Sequence, residues 1–448
     1  MSRADLLALR VPRYTSYPTA PHFQSSVGAE IYERWLRQLP PGSPLSIYVH
    51  IPFCDTLCWF CGCHTRVVNG YSPVASYLEL VRSELATVAA IITGRDHPIA
   101  HLHFGGGSPT ILEPRDFIAI TADIRDTYSF AGGAEFAVEI DPRGLSDAMI
   151  GSLAKAGVNR ASIGVQDVDA KVQRAINRIQ PFETTKSAIE KLRAAEICNL
   201  NVDIMYGLPR QTVRHVKETV DAMLSLKPNR LAVFGYAHVP HMKRHMALID
   251  EKDLPTTAER LAQYDLALSA LVKAGYVPIG LDHFALRGDP LAVAASNGTL
   301  RRNFQGYTTD TAGALIGIGA SAIGSFPQGY VQNETAVPLY RERVRTGKLA
   351  SARGIELDKE DTIRHAVIER LMCSLEVDLS EMAKRFGFVA NHFADELVEL
   401  ERLAQERLVE IDGWKVVVPG SERAAVRVVC AVFDTYLDPS AARHALAV

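Results

Sequence analysis

Net charge is almost absent from this chain of 448 residues: 48 Lys and Arg face 51 Asp and Glu, leaving −3. A balance that close to neutral gives no reason to expect nucleic acid or an anionic membrane as a partner. Long apolar runs are also absent, so no membrane span is expected, and the stretch MSRADLLALR has no apolar core of signal-peptide length. A cytoplasmic protein is the expectation. Cysteine is sparse over most of the length. Cys198, Cys373 and Cys430 stand alone in apolar surroundings and are expected to be buried small hydrophobes rather than ligands. The hydrophobic share of 47% supports a full globular core. The length allows two or three domains, or one α/β barrel that absorbs over half of it.

The remaining four cysteines are crowded together. Cys54, Cys58, Cys61 and Cys63 fall within ten residues of the stretch Tyr48–Cys63, YVHIPFCDTLCWFCGC. The first three have the spacing C-x-x-x-C-x-x-C. Soft thiolates favour iron–sulfur or zinc over hard metals. This spacing suits a four-iron, four-sulfur cluster held by three thiolates, with one iron left open to a small molecule. A structural zinc site usually takes two ligand pairs separated by a loop, and the chain has no second pair. Zinc and a disulfide stay as competing readings, but cysteines this dense in a reducing compartment point to metal or redox chemistry.

Ahead of this stretch, residues 1–44 read as an irregular arm, either a disordered leader or a docking segment. Arg10 to Pro18 carries aromatics, prolines and arginines without helical or strand period. A short amphipathic helix is expected over Ile31–Leu39, and Pro40-Pro41-Gly42-Ser43-Pro44 reads as a linker. From Leu45 onward strand, loop and helix repeat. Strands are predicted at Leu45–Ile51, Ile99–Phe104, Glu135–Ile140, Arg160–Val165, Leu200–Met205 and Arg230–Tyr236. Helices are predicted at Tyr77–Ile92, Phe117–Tyr128, Ser146–Ala156, Thr184–Ala195, Val213–Leu226 and Ala258–Lys273. Six such units imply a parallel sheet with helices outside and fit a partial (β/α)6 barrel, although the pattern alone leaves a doubly wound sheet open.

Unusual residues collect at the C-terminal ends of these strands, where barrel enzymes build their sites. The cysteine loop follows the first strand and Gly105-Gly106-Gly107-Ser108-Pro109-Thr110 the second. Glu139 and Asp141 end the third, and Gln166-Asp167 the fourth. Asp203 lies towards the end of the fifth, and Tyr236-Ala237-His238 follows the sixth. Together they predict one cavity with the cysteine loop at its rim. The three glycines leave backbone bare of side chains, which beside the cysteine loop suits hydrogen bonding to an amino-acid ligand. Lacking a Gly-Lys-Ser/Thr ending, the run is not a P-loop. Glu139 and Asp203 suit a ribose hydroxyl pair, unless they are solvated caps.

After Ala285 the rhythm stops. Arg301 to Thr309 is polar, basic and aromatic, and Leu315 to Gly324 is small and apolar, suited to close packing around a ligand. Further helices are expected at Thr362–Ser374, Leu379–Arg385 and Ala394–Gln405, then a hairpin over Leu408–Val418 turning at Asp412-Gly413. Helices plus a hairpin make a winged-helix-like unit, but the segment is not especially basic, so a lid over the barrel is expected rather than a DNA reader. The expected division is an N-terminal arm at 1–44, a partial barrel at 45–285, a connecting segment at 286–352 that completes the active site, and a mostly helical C-terminal lid at 353–448.

The cysteine loop resembles that of the radical S-adenosylmethionine (SAM) enzymes. Nearly the whole chain resembles one family of that superfamily, the oxygen-independent coproporphyrinogen III oxidases (dehydrogenases). The resemblance rests on YTSYPTA at Tyr14–Ala20, the C-x-x-x-C-x-F-C-G-C loop, GGGSPT, EIDPR, GVQD, DIMYGLP, DHFA at Asp282–Ala285, RNFQGYTT at Arg302–Thr309 and FDTYL at Phe433–Leu437. It implies that Cys54, Cys58 and Cys61 hold a [4Fe–4S] cluster whose open iron is chelated by SAM. It implies contacts to two SAM molecules from Tyr48, Phe60, Gly106, Gly107, Ser108, Glu139, Gln166, Arg178, Asp203, Ala237 and Ile323. Cys63 is implied not as a ligand but, with Tyr48, as a catalytic residue. Ser108 stands where threonine is common, and Gly235 where a larger polar residue can occur.

The implied reaction is the anaerobic oxidative decarboxylation of two propionate side chains of coproporphyrinogen III to vinyl groups, giving protoporphyrinogen IX in haem synthesis. A 5′-deoxyadenosyl radical would take hydrogen from the propionate β-carbon, and carbon dioxide and one further electron would leave. The resemblance also implies a low-potential electron donor, an electron acceptor and a monomer. Four substrate carboxylates call for arginine forks, and Arg13, Arg301 and Arg302 are the candidates. The nearest rival is a haem chaperone of the same superfamily, for which His64 or His238 would bind haem; such chaperones typically lack both Cys63 and the Tyr14–Ala20 arm. A radical SAM methyltransferase using Cys63 as a methyl carrier is the third reading.

Overall fold

Strand formers in which apolar residues alternate with polar ones build the centre of the molecule. The computed structural model describes residues 3–437 and Ala447, and twelve of its strands form one sheet. In chain order these are β1 (Leu45–Ile51), β2 (Ile99–Gly106), β3 (Phe130–Ile140), β4 (Arg160–Gln166), β5 (Asn199–Tyr206), β6 (Arg230–Gly235), β7 (Tyr276–Ile279), β8 (His283–Leu286), β9 (Ala314–Ile318), β10 (Ile323–Phe326), β11 (Gly329–Asn333) and β12 (Ser351–Glu356). Strands β1 to β6 lie side by side and parallel. Antiparallel β8 and β7 extend the sheet beyond β6. On the other flank β9 pairs parallel to β1, and β10, β11 and β12 follow antiparallel.

Register settles which residues face inward. Leu45, Ile47, Val49 and Ile51 of β1 are buried against the outer helices, so Ser46, Tyr48 and His50 point the other way. Pairing carries that face across the sheet through His101 and His103, Glu135 and Glu139, Arg160 and Ser162, Asn201 and Asp203, and Arg230. The apolar core therefore lies between sheet and helices, and the inner face is polar. Six outer helices, Ser72–Ile92, Pro114–Thr127, Asp147–Ala156, Phe182–Ala194, Val213–Ser225 and Thr257–Lys273, follow β1 to β6 in turn. Ser146 caps one by accepting from the Met149 N–H at 3.2 Å, and Thr256 with Glu259 forms a capping box on another.

Several details differ from the sequence reading. The arm is docked rather than disordered: Tyr14, Tyr17, Tyr32 and Trp35 are buried, its helix spans Ala29–Arg37, and Gln24 bridges to Gly354. Strand β3 begins five residues early, and a short helix at Ala170–Ala175 had no periodic signal to announce it. Cys198 is exposed, not buried: its neighbours Ile197 and Leu200 take the interior positions. Cys373 and Cys430 are buried as expected. Near the end of the chain, helices Lys359–Ser374, Leu379–Arg385 and Ala394–Gln405 pack with a three-stranded sheet of Glu376–Asp378, Glu410–Asp412 and Lys415–Val417. Its hairpin pairs Asp412 with Lys415, so the turn residues are Gly413 and Trp414 rather than Asp412-Gly413, with Gly413 at φ +59°.

One buried carboxyl ties helix Ser72–Ile92 to the sheet flank. Glu84 accepts from the Tyr340 hydroxyl, the Gly319 N–H and the Asn333 amide, each at 2.7 Å. Burial pushes its pKa up to about 7, against those three donors. The folded state then keeps a proton that the unfolded chain has lost above about pH 4.5, so this group's stabilisation is full at low pH and is lost as pH rises to 7, by about 3 kcal/mol. Glu84→Gln is expected to flatten that pH dependence in denaturant titrations. Glu84→Ala, which leaves the Tyr340 hydroxyl and the Gly319 N–H without their acceptor while the Asn333 amide keeps the Gly319 carbonyl at 3.0 Å, is expected to cost about 3 kcal/mol.

Candidate active site

Residues Cys54 to Cys63 lie at the C-terminal end of β1 and, apart from a two-residue bridge at Phe53–Cys54, have no regular structure. Neighbouring loops hold them. The Trp59 N–H donates to the Ile176 carbonyl at 2.9 Å, and the Asn177 amide to the Leu57 carbonyl at 2.8 Å. His245 and Lys243 donate to the carbonyls of Cys61 and Cys63, both at 2.8 Å. Trp59 and Phe60 pack on a small apolar cluster that includes Val172, Ile176, Met246 and Ile249.

The thiols fit a cluster. Arg178 and Arg143 each place a guanidinium nitrogen 3.5 Å from the Cys58 sulfur, and both pair with Asp141, at 3.2 and 2.6 Å. Asp141 is thereby held below the usual carboxylate range although burial works against ionisation. The Cys54 sulfur lies 3.1 Å from the Thr65 hydroxyl. Fixed cations and a hydroxyl around soft thiolates suit an anionic cluster. No three His, Cys, Asp or Glu side chains among the described residues gather closely enough for a single ion; a four-iron cluster asks instead for thiolates set apart, one to each iron it binds. Cys63 is exposed, with its thiol against that of Cys61.

The glycine run sits directly beside this loop. The Gly107 N–H bonds to the Ile51 carbonyl and the Ser108 N–H to the Phe53 carbonyl, both at 2.8 Å. A Cβ on Gly107 would lie 2.5 Å from the Phe53 carbonyl oxygen, and one on Gly106, at φ +111°, would meet the His50 ring at 2.5 Å. Only glycine permits this approach. The Gly106 N–H donates to Glu139 at 3.0 Å, and His103 lies 3.3 Å from the other oxygen. Burial raises the Glu139 pKa, but these two partners outweigh it and the carboxyl stays below its ordinary value. His50 donates to the His64 carbonyl at 2.9 Å, which leaves Nδ1 to accept the Tyr48 hydroxyl at 3.0 Å. Burial lowers the His50 pKa, in keeping with that neutral form.

Asp203 is bonded to Ser162 at 3.0 Å and Asn201 at 2.7 Å. Burial, opposed by Ser162 and reinforced by the charge of Glu139, moves it up to about 6. Gln166 ends β4 at φ +73°, where the ladder to β5 slips. Ala237 lies just past β6, half-buried. Ile323 opens β10 against Gly317, whose ladder partner is Tyr48. Arg13 and Arg302 meet beside Asp282: Arg13 donates to the Gly235 carbonyl at 2.8 Å, and Arg302 to the Tyr14 and Arg13 carbonyls at 3.2 and 3.3 Å. Arg301 turns away to Glu369 at 2.9 Å. Sequence reasoning placed Asp141 on the cavity rim without a task and gave no role to His50, His103, Arg143, Lys243 or His245. EIDPR was a visible signal for Asp141 and Arg143; nothing in the sequence marked the other four.

Residues 48–223 match the radical SAM superfamily, so fold and site together define a radical SAM enzyme, a class that uses a [4Fe–4S] cluster and SAM. The chain is 47% identical to the oxygen-independent coproporphyrinogen III oxidase of Bradyrhizobium diazoefficiens, with 100% of each chain covered. It is 40% identical to that of Paracoccus denitrificans, covering 100% of this chain and 99% of the relative. A solved structure of coproporphyrinogen III oxidase from Escherichia coli superposes with a TM-score of 0.90 at 37% identity, covering 95% of this chain and 98% of the other. The chain belongs to the oxygen-independent coproporphyrinogen III oxidases.

Alanine at Cys54, Cys58 or Cys61 is expected to abolish anaerobic cluster reconstitution, read as iron and sulfide content and visible absorption. Alanine at Cys63 should leave a full complement of iron.

Proposed function

We propose that the chain converts two propionate side chains of coproporphyrinogen III to vinyl groups, giving protoporphyrinogen IX without oxygen. The observation that carries this reading is the placement of three thiols, bare glycine backbone and Glu139 on one rim above a polar inner face. When bound, the cluster and SAM supply one-electron cleavage to a 5′-deoxyadenosyl radical able to take hydrogen from an unactivated carbon. Cys54, Cys58 and Cys61 ligate the cluster, and Arg178 and Arg143 offset the thiolate charge. Gly106, Gly107 and Ser108 offer backbone and hydroxyl to the amino-acid end of SAM. Glu139, already oriented by the Gly106 N–H, accepts from its cationic amine. Phe60, Gln166, Arg178, Asp203, Ala237 and Ile323 line the remainder of the SAM sites.

Two SAM molecules are supported by the spread of these residues. They run from Ile323 on β10 to Ala237 past β6, across eight neighbouring strands, at ~4.8 Å per strand a wider arc than one nucleoside spans. His50 fixes the Tyr48 phenol toward the inner face, and Cys63 sits at the mouth; both act at the reacting centre. Arg302 keeps one buried guanidinium nitrogen without a hydrogen-bond partner, which suits a substrate carboxylate, with Arg13 beside it and Arg301 outside. Tyr14, bonded to Asp434 at 3.1 Å, and Tyr17, bonded to Thr435 at 3.0 Å, fasten the arm to the C-terminal part, so that the chain's own segments exclude water and oxygen. That closure supports a C-terminal lid on a monomer; the proposed bounds at 285 and 352 fall inside β8 and β12, so one sheet runs through the barrel, the connecting segment and the start of the lid. Seven free cysteines support a reducing, cytoplasmic setting. No helix among the described residues is long and apolar enough to cross a membrane. The electron donor and the final acceptor are separate partners.

Anaerobic turnover with SAM, a strong reductant, an electron acceptor and coproporphyrinogen III is expected to give protoporphyrinogen IX and 5′-deoxyadenosine, both lost in Cys54→Ala. Stoichiometric haem binding with an intact cluster and no porphyrinogen conversion would move the chain to the chaperone reading instead.

A further inference from the structure

Asp141 and Arg143 belong to EIDPR, of which only Glu139 meets SAM in the proposed reaction. Pro142 and the Asp141 side chain make a short turn after β3, in which Asp141 Oδ1 accepts the Arg143 N–H at 3.1 Å. The same oxygen accepts Arg143 Nε at 3.0 Å, while Oδ2 takes Arg143 Nη2 at 2.6 Å and Arg178 Nη1 at 3.2 Å. Arg178 is also held from its far side, donating Nη2 to the Gly164 carbonyl at 2.8 Å. Both guanidinium groups are thus fixed where they meet Cys58, and each puts one N–H nitrogen 3.5 Å from the sulfur. The other thiols of the loop are not treated this way. Cys54 has a neutral hydroxyl, Thr65 at 3.1 Å, and the Cys61 sulfur lies against the Cys63 thiol. Cys58 is the one buried thiol of the four. Around it stand two guanidinium charges and one carboxylate; Asp55, which lies beside Gly144, is exposed and screened by water.

One-electron reduction adds negative charge to whatever Cys58 ligates. Charge-assisted N–H···S bonds stabilise the more negative state, so they raise the potential, and burial strengthens the effect. Asp141 works the other way, because its carboxylate takes back part of the charge of both arginines. We propose that Arg143, Arg178 and Asp141 form a clamp that sets the reduction potential of the cluster through the Cys58 sulfur, the two arginines raising it and Asp141 holding it down. Both directions have a use. The arginines bring reduction within reach of a donor, and Asp141 keeps the reduced state strong enough to cleave SAM. The clamp itself transfers nothing; it shifts the energy of one electron that a reductant adds to the cluster. Arg178 is shared with the SAM site, so Arg143 and Asp141 are the residues whose replacement isolates the effect. This inference rests on the reading of Cys54, Cys58 and Cys61 as cluster ligands.

The test is a redox titration of the cluster-loaded full chain, without SAM and under anaerobic conditions, followed by electron paramagnetic resonance, with iron and sulfide counted in each protein. Arg143→Gln, which keeps an N–H but loses the charge, is expected to move the reduction equilibrium about tenfold towards the oxidised state, a fall of about 59 mV for a one-electron couple. Asp141→Asn, which leaves both cations without their counterion, is expected to move it about tenfold the other way. Arg143→Lys, which keeps the charge, should recover most of the wild-type potential. A merely structural role would not give opposite signs at two positions of one turn: a loosened loop shifts both variants alike or loses iron from both. Wild-type potentials in Arg143→Gln and Asp141→Asn, or shifts of the same sign in the two, would overturn the proposal. Where Arg143→Gln loads no cluster, an unchanged or lowered potential in Asp141→Asn would overturn it. Loss of the cluster from all three variants would make these residues a requirement of assembly and equally overturn it. A wild-type chain that loads no four-iron cluster would refute the ligand reading and the clamp with it. Potentials that shift as expected in a protein that converts no porphyrinogen would refute the reaction and leave the clamp standing.

Discussion

Thiolates that share one inorganic cluster repel each other and must still be kept at fixed separations, and almost nothing within residues 54–63 supplies that rigidity. It comes from outside. The loop after β4 reaches in through Ile176, Asn177 and Arg178, and the loop after β6 through Lys243 and His245. Asp141, at the end of β3, fixes both guanidinium groups that face Cys58. The site therefore exists only when strands β1, β3, β4 and β6 are already aligned, and parallel pairing makes their C-terminal ends share one rim. Cofactor binding is in this sense a property of the sheet, expressed through loops.

The inner face follows from the same alignment. Alternation on each strand turns apolar residues outward to the helices and leaves histidines, carboxylates and arginines facing each other inside. Such a face would be costly if empty of partners. Here most groups are matched: Arg160 with Glu135 at 2.7 Å, Arg230 with Asp289 at 2.7 Å, Asp203 with Ser162 and Asn201. What the matching leaves over is informative. Glu139 is held low in pKa by His103 and the Gly106 N–H, and Arg302 keeps one buried guanidinium nitrogen unbonded; under the proposed reading these meet a cation and an anion.

How much of this was legible depended on the range of the interactions. Strands β1 to β6 were readable because β-branched runs recur at regular intervals between amphipathic helices, and the cysteine spacing was readable because it is local. Strands β7 to β12 were not, since they are short, several carry a glycine, and apart from the parallel pairing of β9 with β1 they join antiparallel with no helix between most of them. Docking of the arm depends on contacts some hundreds of positions apart, such as Tyr14 with Asp434. Arg301 and Arg302 look equivalent in sequence. Ladder pairs Arg301–Thr308 and Arg302–Tyr307 send them to opposite faces of a hairpin, one to Glu369 and one over the Tyr307 ring. Cys198 was misplaced for a similar reason: apolar neighbours in sequence do not say which member of a loop turns inward. Lys243 and His245 carry no motif at all, because their task is to donate to carbonyls and many residues at other positions do the same.

The central claim is that three cysteines from one loop leave a fourth iron open to SAM. It is tested most directly by electron–nuclear double resonance on the reduced, cluster-loaded protein with SAM labelled at its carboxylate oxygen and amine nitrogen. Hyperfine coupling of both labels to the cluster is expected, absent without SAM and unchanged in Cys63→Ala. A full four-iron cluster with no coupling to either label would contradict it, since the open iron would then be closed by a ligand of the protein itself.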